Sequence, residues 1–207
     1  MAPQGDALSE PALTLRQELL RKALHLSASV FPVAYYLGVD REPLLKLLAL
    51  VTIVAVLVEA ARRGNKSAGA AFDRLFGPLT RPTERHSITG ATILAFSCMA
   101  AVGLLSKNAA IASLWCATVG DPAATIAGRL WRSLRPGNLG AANKKTLVGS
   151  AACTAVSFAG VSMLAGYAFI PAILISASAA AAEAIPSKLD DNFRVAGAAG
   201  ITAQILA

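Results

Sequence analysis

A lysine-rich stretch at residues 144–150 carries groups that proteins use to bind phosphate. Its polar side chains and glycine are Lys144, Lys145, Thr146, Gly149 and Ser150. Two ammonium groups, a hydroxyl and a glycine without a side chain, at the start of a helix, would neutralise and surround a polyphosphate. The stretch differs from a Walker P-loop, which has glycine directly before Lys-Thr and follows a β-strand. A lysine pair also commonly anchors a helix at a membrane edge, so both interpretations stay open.

Three carboxylates and an amide lie together near the C-terminus, at Glu183, Asp190, Asp191 and Asn192. Clustered oxygen ligands of this kind suit Mg²⁺. Carboxylates opposite a lysine stretch form the arrangement of phosphoryl transfer, in which metal and cations lie on the phosphates and a carboxylate takes the acceptor's proton. We predict that Glu183, Asp190 and Asp191 bind metal and that Asp190 or Asp191 is the base. The alternative is that Asp191 or Asn192 only caps the next helix.

A carboxylate interrupts an apolar segment at Gly120-Asp121-Pro122. A charge near the middle of a membrane helix costs about 2.5–3.5 kcal/mol on insertion scales. Aspartate before proline is typical of a helix N-terminus, which predicts two half-helices here. A broken membrane helix is tolerated beside protein or a watery cavity, and its exposed amides suit an anion. We predict that Asp121 positions metal or phosphate, with the alternative that it is only a cap.

A polar stripe enters the first apolar segment. After a Thr14-x-x-Gln17 capping box, the residues Glu18, Arg21, Lys22 and His25 share one helical face. Glu59 and Arg62 repeat the i, i+3 pairing at the end of the second apolar segment. These residues are interpreted as a polar wall of the same site, with snorkelling side chains and local ion pairs as the alternative.

The elements that position these residues are membrane helices. Of the 207 residues, 55% are hydrophobic and 15% charged, against about 25% charged in a soluble domain. We predict an all-α, polytopic transmembrane bundle of about seven spans, near residues 23–39, 44–61, 88–105, 109–130, 146–165, 169–184 and 193–207. Residues 1–13 are predicted to be a disordered tail without a signal peptide, and residues 14–207 a single membrane domain.

Charge asymmetry predicts the orientation. All but three of the 19 Lys and Arg residues fall in loops on one side, the exceptions being Arg41, Lys46 and Lys107. The positive-inside rule then places the N-terminus and the charged face in the cytoplasm. Topology and attraction to anionic lipid account for this basic charge, so no nucleic-acid partner is expected.

Histidine and cysteine spacings give no zinc pattern. Cys98, Cys116 and Cys153 lie inside apolar segments without C-x-x-C spacing, and His25 and His86 lie far apart. The cysteines are therefore predicted to be buried free thiols.

Five ordered motifs resemble the CTP-dependent lipid-alcohol kinases, namely dolichol kinase, phytol kinase and CTP-dependent diacylglycerol kinase with their bacterial relatives. The motifs are Glu18-x-x-Arg21-Lys22-x-x-His25; Arg81-x-x-Glu84 with Thr89-Gly90-Ala91; Gly120-Asp121-x-x-Ala124-x-x-x-Gly128; Lys144-Lys145-Thr146-x-x-Gly149-Ser150; and Glu183 with Asp190-Asp191-Asn192. The resemblance implies a membrane kinase that moves the γ-phosphate of CTP to a lipid hydroxyl.

The resemblance also implies a division of labour within the site. Asp121 and residues 144–150 belong to the nucleotide site, together with Gly120 and Gly128. Arg81 and Glu84 also belong to it, and they lie in the segment 81–86 that is the candidate for reading the base. Mg²⁺ is the expected cofactor, and Lys144 joins Asp121, Asp190 and Asp191 in the catalytic set. A bacterial chain of this kind would lie in the plasma membrane.

Two other functions are weighed against a kinase. A phosphatidate cytidylyltransferase is disfavoured because the chain lacks that enzyme's basic, aspartate- and His-Gly-Gly-bearing C-terminal signature. A transporter would also use intramembrane charges and a broken helix, but the two halves of the chain show no repeat. The acceptor alcohol, whether polyprenol, phytol or diacylglycerol, and the oligomeric state stay open.

Overall fold

Helices make up every regular element of the described chain. A computed structural model describes residues 14–80, 84, 87–134, 145–187 and 189–207. The helices are α1 (Leu15–Ser27), α2 (Val30–Tyr36), α3 (Arg41–Gly64), α4 (Lys66–Phe76), α5 (Gly90–Leu104), α6 (Lys107–Ser133), α7 (Leu147–Met163), α8 (Phe169–Ala184) and α9 (Asp191–Ile205), with a 3₁₀ turn at Gly77–Leu79. The predicted tail at residues 1–13 lies outside the described residues. The all-helical class is as predicted.

Six of the seven predicted spans coincide with α3 and α5 to α9 to within a few residues. The first does not, because the predicted helix at 23–39 is divided between α1 and α2 at Ala28 and Ser29. Pro32 has no N–H to donate to the carbonyl of Ala28, so a continuous helix would lose a hydrogen bond there. Helix α4 lies in a segment that was predicted to be a loop, and it adds a further amphipathic element after α3.

Two of these helices, α3 and α6, are long and apolar enough to cross a membrane, whereas α5, α7 and α8 are shorter apolar helices. They differ in burial, because most apolar side chains of α3 are exposed and most of α6 is buried. Residues 109–114 of α6 are all buried, and α2, α5, α7 and α9 pack around this helix. The helix that carries Asp121 is therefore the centre of the bundle.

The predicted break at Gly120-Asp121-Pro122 is wrong, because α6 continues through these residues. Asp121 has helical torsions, φ −63° and ψ −45°, and a π-helical turn at Cys116–Gly120 precedes it. Its N–H donates to the carbonyl of Cys116, five residues back. A π turn lengthens the local hydrogen-bonding step, and such turns accommodate a proline and occur at functional sites. Asp121 is thus inside a helix and does not cap one.

Small residues let α6 and α7 pack closely at the functional end. The facing residues are Gly120, Ala124 and Gly128 on α6 and Gly149, Cys153 and Ser157 on α7. A Cβ on Gly149 would lie 2.7 Å from the Ala124 carbonyl oxygen, and one on Gly128 would lie 2.7 Å from Thr146 Oγ1. Close helix contacts of this type require small side chains. Gly120, Gly128 and Gly149, which were predicted to bind nucleotide, lie in this interface.

A substitution at Gly160 tests this packing away from the polar residues. A Cβ on Gly160 would overlap the Trp115 indole, whose Nε1 donates to the Val156 carbonyl at 3.0 Å. Gly160→Ala is expected to lower the free energy of unfolding by about 1–3 kcal/mol because the indole must move. Denaturant unfolding in detergent measures this change. Gly197→Ala is the control, since a Cβ there meets nothing within 4 Å; equal stability of the two variants would contradict the packing.

Candidate active site

The predicted polar residues gather at one end of the bundle, where the C-terminal ends of α3 and α8 meet the N-terminal ends of α5, α7 and α9. Three hydrogen bonds between helix ends establish this, from Arg62 to the Ser87 carbonyl, from Lys145 to Glu183 and from Asn192 to the Gly90 carbonyl. At the other end, Ser106 N donates to Gln204 Oε1 at 2.7 Å. The collection of charge at one face is therefore a property of the fold.

A buried ion pair between α1 and α6 is the deepest feature of this end. Lys22 Nζ donates to Asp121 Oδ2, and the two side chains are 1% and 0% exposed. Oδ1 of Asp121 is also buried and accepts no hydrogen bond from any described residue. A buried carboxylate held by one ammonium, with its second oxygen free, is suited to bind a further cation or donor.

His25 completes the hydrogen bonding of α6 at its π turn. The carbonyl of Ala117 would ordinarily accept from the N–H of residue 121 or 122. The N–H of Asp121 donates to Cys116 instead, and Pro122 has no N–H, so the helix backbone leaves this carbonyl without a donor. His25 lies 2.9 Å away through Nε2 and donates to that oxygen. The first helix is thus fixed to α6 at two points, one of which exists because proline follows Asp121.

The role of His25 is testable by substitution. His25→Leu leaves the Ala117 carbonyl without its donor and is expected to lower the free energy of unfolding by about 1–3 kcal/mol. His25→Gln retains a side-chain N–H and is expected to lose less. Thermal unfolding in detergent compares the two variants, and equal losses would show that the hydrogen bond contributes nothing beyond packing.

The rest of the α1 stripe also faces α6. Glu18 is buried and pairs with Arg21 at 2.6 Å, and its other oxygen lies 3.7 Å from Arg129. Arg129 was predicted only to be one of the basic residues that set the topology. It lies two helical turns beyond Asp121 on the same helix, a spacing that could have connected it to the site. The predicted polar wall of α1 is therefore a contact surface with α6.

A second cluster fixes the backbone before α5. Arg62 Nη2 donates to the carbonyls of Glu84 and Ser87 at 3.0 and 2.6 Å and forms an ion pair with Glu59 at 2.7 Å. Glu59 Oε1 accepts from the N–H of Thr89 at 2.8 Å. Arg62 and Glu59 thus act as positioning residues for the segment that carries Glu84.

The N-terminus of α5 lies between two carboxylates. Glu84 Oε1 accepts from the N–H of Gly90 at 3.2 Å, and Asn192 Nδ2 donates to the Gly90 carbonyl at 3.1 Å. A Cβ on Gly90 would also lie 3.6 Å from Asp190 Oδ2. The Oδ1 atom of Asn192 is buried and has no hydrogen-bond partner in the described chain. A side chain at this point would require Glu84 and Asn192 to move by a few tenths of an ångström, since its Cβ would lie 3.2 Å from Glu84 Oε1 and 3.3 Å from Asn192 Nδ2.

Lys145 joins the acidic segment to the lysine stretch. Its Nζ donates to Glu183 Oε1 and lies 3.6 Å from Asp191 Oδ2. The Lys145 side chain is 37% exposed and that of Glu183 is 3% exposed. The part of α6 that begins at Asp121 packs against both α8 and α9, the helices that carry Glu183 and Asp191. The Lys145 cluster and the Lys22–Asp121 pair therefore border the same part of the bundle, and the Lys145 side is the more open.

Three residues that the sequence singled out, Asp190, Thr146 and Thr14, are N-caps of helices. Asp190 caps α9, since its side chain accepts from the N–H of Asn192 at 2.9 Å. The alternative prediction had assigned this cap to Asp191 or Asn192. Thr146 caps α7 through the N–H of Gly149 at 3.0 Å, so that amide is already bonded, and Ser150 lies in the first turn of α7. The predicted capping box of Thr14 and Gln17 is confirmed.

Some predicted groups are not tested by this geometry. Arg81 and Lys144 lie outside the described residues. In the described ranges, no group of three acidic, histidine or cysteine side chains lies close enough to hold a metal ion. Glu183 and Asp191 nevertheless direct carboxylate oxygens at one cation, the ammonium of Lys145, and hard oxygen ligands of this type fit Mg²⁺.

Comparison with known proteins supports one family. The CTP-dependent diacylglycerol kinase 1 of Eremothecium gossypii is 28% identical to the chain over 158 residues, which are 76% of this chain and 49% of that protein. The chain thus spans about half the length of the curated relative it matches. No family model matches the chain, and no solved structure matches it significantly. The similarity supports the CTP-dependent lipid kinases, the family that the motifs resemble.

Proposed function

We propose that this chain, as a relative of the CTP-dependent lipid kinases, transfers the γ-phosphate of CTP to the hydroxyl of a membrane lipid alcohol. The observation that carries the proposal is the meeting of the Lys22–Asp121 pair with the Lys145, Glu183 and Asp191 cluster at one end of an apolar bundle. Cations and carboxylates in one place are what phosphoryl transfer needs, since its catalysis consists mainly of positioning and charge stabilisation.

The bundle is proposed to be embedded in a bilayer with the site at the cytoplasmic face. Leu50, Ile53 and Leu57 of α3 are exposed apolar side chains in a long helix, which are suited to lipid contact. The basic residues around the site satisfy the positive-inside rule on that side. A phosphate donor from water and an acceptor from the bilayer would meet at this boundary.

Some residues of the site are proposed to bind the phosphates of CTP, and others are proposed to act on the acceptor hydroxyl. Lys145, with Lys144 beside it in sequence, neutralises the charge that develops on the transferred phosphoryl group. A nucleotide that takes over the Lys145 ammonium releases the oxygens of Glu183 and Asp191. Mg²⁺, when bound, would supply charge neutralisation on the phosphates, and Glu183 and Asp191 are the pair of carboxylates proposed to hold it, with the remaining ligands from the nucleotide and water.

Proton removal from the acceptor hydroxyl is assigned to the start of α9. Asp190 and Asp191 lie at this helix end, where Asp190 faces Gly90 and Asp191 approaches Lys145. Either carboxylate could accept the proton as the phosphoryl group leaves CDP. Oδ1 of Asp121, which accepts no hydrogen bond from a described residue, is proposed to face a cation on the phosphates.

A nucleotide and lipid panel on purified protein tests the proposal. With CTP and Mg²⁺ in detergent micelles, the protein should convert polyprenol, phytol or diacylglycerol to the lipid phosphate and release CDP. Failure with every nucleoside triphosphate across all three lipids would refute the kinase. Nucleotide-independent flux of a solute in proteoliposomes would instead support a transporter.

A further inference from the structure

An apolar groove of about 180 Å³ runs between α5 and α9 on the outside of the bundle. Its walls include Ala100, Ala101 and Leu104 of α5 and Ala196, Gly197 and Ile201 of α9. These side chains are small along the floor and larger at the edge, so the groove admits a narrow apolar chain.

The hydroxyl groups in the groove wall are already hydrogen-bonded inside the protein. Ser97 Oγ donates to the Ile93 carbonyl at 2.8 Å, and Ser113 Oγ donates to the Ala196 carbonyl at 2.8 Å. Because neither donor is left for a ligand, the groove offers little to a polar occupant. The groove is therefore suited to bind a hydrocarbon chain.

The groove extends towards the end of the bundle that holds the candidate active site. Both helices start there, since Gly90 begins α5 and Asp191 begins α9. Phe193 of the groove directly follows Asn192, and Ser97 lies about 10 Å along α5 from Gly90 at 1.5 Å per residue. Asn192 holds a buried Oδ1 without a partner in the described chain. An acceptor oxygen without a described partner, one residue before Phe193 of the groove, matches an alcohol, which has one hydroxyl donor and a long apolar chain.

We propose that the hydrocarbon chain of the acceptor alcohol lies in this groove between α5 and α9, with its hydroxyl near Asn192. This inference rests on the proposed function and assigns a place to its lipid substrate. The groove holds only the part of the chain nearest the hydroxyl, because it is smaller than the roughly 300–1,000 Å³ pockets that enclose drug-sized ligands. The remainder of the chain lies in the bilayer.

The glycines of α9 show where the groove is open. A Cβ on Gly197 meets nothing within 4 Å, whereas a Cβ on Gly200 would lie 2.6 Å from Leu105 Cδ1 and 3.1 Å from Ser113. The space is thus open at Gly197 and closed by protein about one turn later. A larger side chain at Gly197 fills the groove without displacing the protein.

Gly197→Leu is the variant that tests the groove, and Ala155→Leu on the exposed face of α7 is its matched control. Gly197→Leu is expected to raise KM for a long-chain acceptor about tenfold or more, since a methylene in an apolar pocket changes recognition by this order. KM for CTP and the rate with a short-chain, water-soluble alcohol should stay at the wild-type values. Equal kinetics of Gly197→Leu and Ala155→Leu with the long-chain acceptor would overturn the proposal.

A labelling experiment decides the question without relying on activity. A long-chain alcohol with a diazirine in its chain is activated by light in the presence of the wild-type protein and of each variant, and the labelled peptides are identified by mass spectrometry. Labels should concentrate on α5 and α9 and be lost in Gly197→Leu. Labels spread over exposed helices such as α3 would show ordinary lipid contact and refute the groove. If the wild type transfers no phosphate, the proposed function fails, while this labelling still reports on the groove.

Discussion

Lys22→Met combined with Asp121→Leu is expected to give a folded protein that has lost CTP-dependent phosphoryl transfer. The two side chains form a fully buried ion pair between α1 and α6. Replacing both members of a buried pair by apolar groups of similar volume is often neutral, whereas removing one costs about 3–5 kcal/mol because the other charge stays unpaired. Transfer should fall about 100-fold or more, since Asp121 also offers its free Oδ1 to the reacting groups.

Melting temperature in detergent and initial rates with CTP measure the two effects separately. The single variants Lys22→Met and Asp121→Leu serve as controls, because each should lose stability as well as activity. A double variant with wild-type rates would show that the pair only holds α1 to α6. A double variant as unstable as the single variants would contradict the expected compensation.

Lys145→Gln has the second large expected effect, on the use of the nucleotide. The Lys145 side chain is partly exposed, whereas Glu183 and Asp191, with which it forms ion pairs, are more buried. Loss of its charge is expected to lower kcat/KM for CTP about 100-fold, the size of effect seen when one group that stabilises developing charge is removed. Lys145→Arg retains a positive charge and should retain more activity.

Lys46→Gln is the matched control for this variant. Lys46 pairs with Glu42 at the opposite end of the bundle, and both side chains are exposed, so the pair contributes little. Lys145→Gln also leaves the buried carboxylate of Glu183 without the ammonium that pairs with it, which should lower stability. A second variant, Lys145→Gln with Glu183→Gln, removes that buried charge and should recover stability without recovering activity. Equal kcat/KM for Lys145→Gln and Lys46→Gln would contradict a phosphate role for Lys145.

Local features of this chain could be predicted from sequence because they depend on neighbours. The capping box of Thr14 and Gln17 and the bounds of α8 follow from local hydrogen bonds and from apolar segment length. The spacing of Glu18, Arg21, Lys22 and His25 correctly placed them on one face. Identifying what that face contacts required the fold.

The main correction concerns Asp121, where local signals favoured a helix start. Aspartate before proline is a good N-terminus in isolation, but burial of α6 at the centre of the bundle keeps this helix continuous through a π turn. The compensation comes from His25, which donates to the carbonyl of Ala117, 92 residues later in the chain. Sequence spacing could not reveal that partnership, nor the contact between Lys22 and Asp121 across 99 residues.

The glycines show a similar division between pattern and structure. Gly128 and Gly149 were predicted to belong to the nucleotide site. Each instead faces a neighbouring helix, with Thr146 Oγ1 beside Gly128 and the Ala124 carbonyl beside Gly149. A glycine in an apolar helix gives the same sequence signal for ligand approach and for helix approach, and only the packed structure separates the two.

The most direct test of the central claim follows the phosphorus atoms of CTP. Purified protein with Mg²⁺ and diacylglycerol, phytol or polyprenol is given CTP labelled at the γ-phosphate or, in a parallel reaction, at the α-phosphate. We predict that the γ label enters the lipid and that the α label stays in CDP. Entry of the α label into a lipid, or no transfer of either label to any of the three alcohols, would contradict a CTP-dependent lipid kinase.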